Sequence, residues 1–292
     1  MLDTNAHRPV LLFLHIERSA GTAVHRFLAA HLSGYYVARP WVPIFSNEPE
    51  FGMGTREFRA LLRTPGLHGL GGHTLRPWLV ASVPCYPSWM TILRFPLDRY
   101  LSHFQYQRES ARCAWSLEDF ARDRRTWDWQ VVRLAGYRST EEAWRRLQAF
   151  DAVGFDEGLG RFMEALVQHY GLPLLTSLGR TNAVRSRVEW ADLGSRERRL
   201  VEAANTRDLE LWERARAQWG EWHLGDSAAK LLREARPTRA RRLFHLKQRI
   251  WSTLVEIPAH VRYGDFPDPA RFPLVACRST DLWADESAPE SG

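Results

Sequence analysis

A short segment with small and hydroxylated side chains around one arginine lies between an apolar run and a helical pattern. It reads HIERSAGTA, residues 15–23, and follows the continuous apolar run of residues 10–14. A loop between a buried strand and a helix directs backbone N–H groups at one point, where the helix dipole favours negative charge. Small residues let an anion reach that backbone, and Thr22 adds a hydroxyl donor. The segment predicts a phosphate-binding loop, with a plain tight turn as the alternative.

A second segment repeats the order of strand end, arginine and helix. It reads RFPLDRYLSHF, residues 94–104, and follows the apolar residues 89–93. Arg94 would stand at the carboxyl end of that strand, where open α/β sheets bind ligands. Ser102 comes eight residues later, about two helical turns further on. Both side chains could reach one phosphate if the chain folds back over the edge of the sheet.

A third segment, GGHTL, places His73 after a pair of glycines that leaves room for a substrate. An imidazole that titrates near neutral pH can accept a proton from a hydroxyl, so His73 is the candidate general base. The alternative is a structural histidine at a strand end. His68 is a weaker candidate base, and His15 is expected to be structural or orienting. Glu17 could pair with an arginine or act near the acceptor.

Several other kinds of chemistry are disfavoured by the residues present. The loop lacks the GxxxxGK[ST] pattern, and no Mg²⁺-binding aspartate is evident on a neighbouring strand, which argues against a P-loop kinase. Three cysteines without a CxxC pair do not predict a zinc site, and no metal is expected. The net charge of +6 fits an anionic ligand. The sequence has no dense basic stripe, so a nucleic-acid partner is not expected.

The pattern of apolar residues predicts an α/β fold. Apolar runs typical of strands buried on both faces alternate with helical patterns, and the chain is mostly helical in pattern from residue 117 onward, including residues 159–170 and 195–219. We therefore expect a P-loop-like central parallel sheet flanked by helices, with a helical C-terminal part.

The composition changes near residue 226 and divides the chain into two predicted parts. Residues 1–225 would form the α/β domain, and residues 226–292 a C-terminal extension with a basic amphipathic helix at 236–257 and an irregular tail. That helix is expected to pack on the domain, with peripheral contact to a membrane or an anionic glycan as the alternative. No signal pattern or membrane-spanning run is evident, so a cytoplasmic protein is expected.

These segments, in this order, resemble the PAPS-dependent sulfotransferases, in particular their carbohydrate 2-O-sulfotransferase-like branch. HIERSAGTA is similar to that family's HIPKTGGTS, and RFPLDRYLSHF to its RDPVERYLSxY. GGHTL, WDWQVVRLAG, AVGFDEGLGRFMEAL, Asn182 and ANTRDLELWERA are similar to further family segments. The likeness covers about residues 10–218, and the tail beyond is unmatched.

The resemblance implies a sulfate donor, two anion-binding groups and an acceptor. The donor would be PAPS (3′-phosphoadenosine 5′-phosphosulfate), and the acceptor a hydroxyl of a carbohydrate or another molecule. Arg94 and Ser102 would bind the 3′-phosphate. The 5′-phosphosulfate would be bound by the first loop, through Arg18, Ser19, Ala20, Gly21, Thr22 and Ala23.

Two positions of the first loop depart from the family pattern. Arg18 stands where the family has lysine, and Glu17 where it has proline. Arginine supplies a fixed charge but cannot give up a proton, so Arg18 can replace the lysine only if that lysine acts as a charge. The chain has only two lysines, Lys230 and Lys247, which favours a tolerated replacement. The non-enzymatic alternative is a binder of PAP, another nucleotide or an anionic polymer.

Overall fold

The computed structural model describes residues 9–32, 34–38, 53, 55–64, 66–78, 86–110, 115–170 and 188–225. The predicted extension from residue 226, including the 236–257 helix, lies outside the described residues. So do Asn182 and the three cysteines.

One six-stranded sheet forms the centre of the described fold, in the order β2-β3-β1-β4-β5-β6. The strands are β1 (Pro9–Leu14), β2 (Tyr35–Ala38), β3 (Gly69–Gly72), β4 (Tyr86–Leu93), β5 (Ala152–Phe155) and β6 (Trp222–Leu224). Neighbouring strands run parallel except β6, which is antiparallel to β5. The expected α/β fold with a central, mostly parallel sheet is confirmed.

Helices cover both faces of this sheet. They are α1 (Gly21–His31), α2 (Thr55–Leu62), α3 (Pro96–Ser110), α4 (Leu117–Arg122), α5 (Trp129–Ala135), α6 (Thr140–Leu147), α7 (Leu159–Tyr170), α8 (Ser195–Ala203) and α9 (Thr206–Trp219). Short 3₁₀ turns occur at Arg124–Thr126, Asp156–Gly158 and Trp190–Asp192.

The side chains of β1 explain its position in the middle of the sheet. Leu11 and Phe13 pack with α1 and α7 on one face, while Val10, Leu12 and Leu14 pack with α2, α5, α6 and α9 on the other. All five are almost fully buried. A strand covered on both faces reads as an unbroken apolar run, which is why this strand could be recognised from sequence.

The helix expected over residues 195–219 is instead two helices. Asn205 interrupts it with a φ of −129°, outside the helical range, and serves as the N-cap of α9. Its side-chain amide donates to the carbonyl of Val201 at 2.7 Å. A fully buried asparagine that bonds local backbone offers the chain an alternative to a continuous helix.

The strand order brings three strand ends together at one edge of the sheet. β1 lies between β3 and β4, and Leu14 pairs with Gly72 on one side and Thr91 on the other. All three strands are parallel, so the segments that follow them leave the sheet at the same edge. This is the switch point at which open α/β sheets bind ligands.

Gly71, on β3, leaves the space that the buried side chain of Tyr35 occupies. A Cβ on Gly71 would lie 2.0 Å from the hydroxyl oxygen of Tyr35 and 3.0 Å from the ring of His25. We therefore expect Gly71→Ala to lower the free energy of unfolding by about 1–3 kcal/mol, because β3 or Tyr35 must move.

The matched control is Gly160→Ala in α7, where an added Cβ meets nothing within 4 Å. Alanine should leave stability unchanged or raise it by up to about 1 kcal/mol. Urea unfolding of both variants checks the pair. Equal stabilities for the two variants would contradict the packing of Tyr35 against β3.

Candidate active site

The loop after β1 has a strained backbone and an uncapped helix start. Arg18 and Ala20 have φ angles of 66° and 57°, in the left-handed region that non-glycine residues rarely adopt. Ala20 is the N-cap of α1 and provides no side-chain hydrogen bond. Ser19 is buried, and its hydroxyl has no hydrogen-bond partner among the described residues. A bound anion would satisfy such donors and offset the strain.

Gly21, the first residue of α1, packs directly against an imidazole. An added Cβ at this position would lie 1.9 Å from both Nε2 and Cδ2 of His15. The His15 ring therefore lies against the start of α1, in the space that any other side chain at position 21 would need.

Two arginines and a serine form one cationic cluster at the ends of β1 and β4. Nε of Arg18 donates to the hydroxyl oxygen of Ser102 at 3.0 Å. The Arg94 guanidinium donates to the backbone carbonyl of Arg18 at 2.9 Å. Arg18 also lies over the ring of Tyr106, 5.2 Å from its centroid. Burial and the nearby Arg94 charge lower the pKa of Arg18.

The backbone of Arg94 is held by a glutamine of α5. Gln130 accepts from the Arg94 N–H and donates to the Arg94 carbonyl, both at 3.0 Å. The backbone N–H of Gln130 in turn donates to the buried Asp208 carboxylate at 3.1 Å. Asp156 lies 3.1 Å from Nε of Arg94 as an ion pair without hydrogen-bond alignment. These contacts fix where the Arg94 side chain leaves the sheet.

Glu17 is a buried carboxylate surrounded by donors from α5. It pairs with Arg133 through both oxygens, and Nε1 of Trp129 donates to its Oε2 at 2.6 Å. Nδ1 of His73 lies 3.3 Å from its Oε1. Burial would raise the pKa of Glu17, but Arg133, His73 and the Trp129 hydrogen bond outweigh it and lower that pKa to about 2.

The hydrogen bonds of His73 determine which ring nitrogen carries the proton. Nδ1 lies 2.9 Å from the backbone carbonyl of His15, which can only accept. Nδ1 of the neutral ring must therefore carry the proton, and Nε2 keeps the lone pair. The His73 side chain is one-quarter exposed, so a lone pair at Nε2 fits the base role predicted for this residue.

A hydrogen-bonded chain of aromatic side chains lies behind His73. The rings of His15 and His73 have centroids 3.9 Å apart. Nδ1 of His15 lies 2.9 Å from Nε2 of His25, whose Nδ1 lies 2.7 Å from the Tyr35 hydroxyl. Each link needs one donor, so the tautomers of the two rings are coupled. Burial and neighbouring histidines lower the pKa of His15 well below its usual value and that of His25 to about 3.

The structure brings most of the predicted site residues together. Residues 15–23, Arg94, Ser102 and His73 all lie at the shared edge of β3, β1 and β4. His68 precedes β3 and pairs through its carbonyl with the N–H of Leu11. It therefore lies at the far end of β3 from the loop, which removes it as a candidate base.

The residues that sequence reasoning missed are those that hold the site from α5, α1 and β2. They are Trp129, Gln130, Arg133, His25 and Tyr35. The segment WDWQVVRLAG had been noted as a motif, but its spacing does not indicate which of its side chains turn towards the loop after β1. His25 and Tyr35 form no motif with His15, and only the packing of α1 and β2 brings them together.

The buried Glu17–Arg133 pair predicts a dependence of stability on pH. Glu17 has a folded-state pKa of about 2. In the unfolded chain its pKa is about 4.3, so its contribution is present above that pH and lost as the pH falls towards 2. The stability difference between wild type and Glu17→Gln should shrink by about 3 kcal/mol between pH 6 and pH 2.

Urea unfolding at several pH values measures this difference. Glu141→Gln, on a side chain that is 76% exposed, should show almost no such trend. A gap between wild type and Glu17→Gln that stays constant down to pH 2 would contradict an ionised, paired Glu17.

Comparisons with known proteins add a weak structural likeness. No protein-family model matches the chain, and no curated protein is similar to it in sequence. Among solved structures, a sulfotransferase from Alicyclobacillus acidocaldarius is similar over 70% of this chain and 99% of its own. The two are 17% identical, with a TM-score of 0.41. No helix in the described part of the chain is long and apolar enough to cross a membrane.

Proposed function

We propose that this chain is a sulfotransferase that moves the sulfuryl group of PAPS to an acceptor hydroxyl, with carbohydrates as the first acceptor class to test. One observation carries the proposal. A strained, uncapped loop with the cationic cluster of Arg18, Arg94 and Ser102 lies on one side of the end of β1, and a histidine whose Nδ1 is bonded to the His15 carbonyl lies on the other.

The residues present fit a ligand with two separate phosphate groups. The start of α1, with the unpartnered Ser19 hydroxyl, would bind the 5′-phosphosulfate through backbone donors. Arg94 and Ser102 would bind the 3′-phosphate. When bound, PAPS supplies an activated sulfuryl group on a phosphate leaving group.

The hydrogen bond from Arg18 prepares Ser102 as a donor. Because the Ser102 oxygen accepts from Nε of Arg18, its own hydrogen can point to an anion. The terminal nitrogens of Arg18 then supply a fixed charge beside the loop. Charge placed before the reaction stabilises the negative charge that develops on the leaving oxygen more than it stabilises the ground state.

His73 would act as the general base. Its Nε2 takes the proton of the acceptor hydroxyl while that oxygen attacks the sulfur, and the proton on Nδ1 remains directed at the His15 carbonyl. The role needs a neutral ring, and burial lowers the pKa of His73 although Glu17 opposes this. No metal is included in this proposal.

The test of the proposed function is transfer of labelled sulfate from PAPS to a panel of hydroxyl acceptors led by sugars. We expect at least one labelled product, and we expect His73→Ala to lower kcat by about 10²–10⁴ with nearly unchanged PAP affinity. Tight PAP binding without transfer to any acceptor would favour the non-catalytic binder. The observation that favours this alternative is Arg18 at the position where the family has lysine, because arginine cannot donate a proton to the leaving group.

Arg94→Ala should weaken binding of PAP by about ten- to a hundredfold, because it removes a charge-assisted contact to the 3′-phosphate. Its effect on ADP, which lacks that phosphate, should be much smaller. Calorimetry with both nucleotides measures the difference. Arg196→Ala, which breaks a surface ion pair with Glu118, is the matched control and should leave both affinities unchanged. Equal losses for PAP and ADP would remove Arg94 from the 3′-phosphate site.

Arg18→Ala should depress kcat more than it weakens PAPS binding, because the charge acts mainly in the transition state. Arg18→Lys should retain much of the activity and can show an alkaline limb that wild type lacks, since arginine does not deprotonate in the accessible pH range. A pH–rate comparison of the three proteins with one accepted sugar is the measurement. An alanine variant as fast as wild type would mean that another group assists the leaving oxygen.

A further inference from the structure

Glu17 presents its two carboxylate oxygens to different partners. Oε2 accepts from Nε1 of Trp129 at 2.6 Å and from Nε of Arg133 at 3.0 Å. Oε1 pairs with the other arm of the Arg133 guanidinium and lies 3.3 Å from Nδ1 of His73. The carboxylate is thus held by two side chains of α5, and its Oε1 also lies within ion-pair distance of Nδ1 of the proposed base.

We propose that Glu17 is a positioning residue for His73: it holds the ring with Nε2 towards the acceptor and stabilises the positive charge that forms when the ring takes the acceptor proton. This inference rests on the proposed function. In that arrangement the proton passes from the acceptor oxygen to Nε2, while the proton on Nδ1 stays between the Glu17 carboxylate and the His15 carbonyl. No proton is transferred to Glu17 itself.

The charges around His73 explain why such a residue is needed. Four other titratable side chains surround the ring, from four different parts of the fold: His15 after β1, Arg76 after β3, Arg133 on α5 and His25 on α1. Arg76 donates to the His73 carbonyl at 2.6 Å. Both arginines oppose a protonated His73, whereas the Glu17 carboxylate favours it.

The competing interpretation makes Glu17 only a counter-ion for Arg133. Burying a guanidinium requires a partner, and Arg133 is 1% exposed. The two roles predict different results for Glu17→Gln. Loss of a counter-ion alone changes stability, whereas loss of a positioning residue also changes the titration of His73 and the rate of the reaction.

The experiment is nitrogen NMR of histidine-labelled protein, with the His73 signal assigned by its loss in His73→Gln. In wild type we expect the proton on Nδ1 of the neutral ring. In Glu17→Gln the His73 titration should move to lower pH by about 1–3 units, because the neighbouring negative charge is gone. The acidic limb of kcat/KM should move in the same direction, and kcat should fall about 10²–10⁴-fold with a much smaller change in KM.

Glu142→Gln is the matched control, because it removes a carboxylate that pairs with two arginines of its own helix, α6. It should leave the His73 signals and the rates unchanged. Glu17→Asp keeps the charge and should restore part of the kcat lost in Glu17→Gln.

Two results would overturn the proposal. One is a neutral His73 in wild type with its proton on Nε2, a measurement that needs no variant to fold. The other is a folded Glu17→Gln with an unchanged His73 titration. The NMR results hold whether or not sulfate is transferred, so failure of the proposed function and failure of the Glu17 assignment remain distinguishable.

Discussion

The position of β1 between β3 and β4 is the constraint on which the rest of the site depends. Three parallel strands end at the same edge, and each is followed by a segment with a different chemical character: histidine after β3, a strained loop after β1 and arginine after β4. The unbroken apolar sequence of β1 secures that position, because both of its faces are covered by helices. Anything that moved β1 would separate the candidate base from the cationic cluster.

Buried charge is the second feature that holds the site in place. Arg76, Arg99 and Arg133 are almost completely buried. Burial and the nearby Arg133 lower the pKa of Arg76 to about 9, and burial lowers that of Arg99 to about 10 although Asp208 and Glu17 oppose it.

Asp208 is a buried acidic side chain at the start of α5. Burial and the nearby Asp128 raise its pKa to about 7, and it accepts from the first backbone N–H groups of that helix. Gln130, whose backbone N–H donates to this carboxyl group, also binds the backbone of Arg94 through its side chain. Asp208 therefore helps to position Arg94. Helix α5 thus carries the Arg133 that pairs with Glu17, and its Gln130 connects Asp208 to the backbone of Arg94.

Much of this arrangement could be predicted from the sequence, and the part that could not has a physical explanation. The apolar run of β1 and the order of the two segments predicted to bind anions indicate the fold class and the edge of the sheet at which the candidate site lies. β2, β3, β5 and β6 have three or four residues each, too few to show a period, and glycines make up three of the four residues of β3. The contacts of Glu17 and Gln130 connect residues far apart in the chain, so local patterns do not reveal them.

A structure of the protein with bound PAP tests the central claim most directly. The account predicts the 5′-phosphate at the start of α1 and the 3′-phosphate within hydrogen-bond distance of Arg94 and Ser102. The Arg94 guanidinium should either leave Asp156 or contact both Asp156 and the 3′-phosphate. The Nε2 atom of His73 should face the open side of the 5′-phosphate. PAP bound elsewhere, or a 3′-phosphate left in solvent while Arg94 stays on Asp156, would contradict the account.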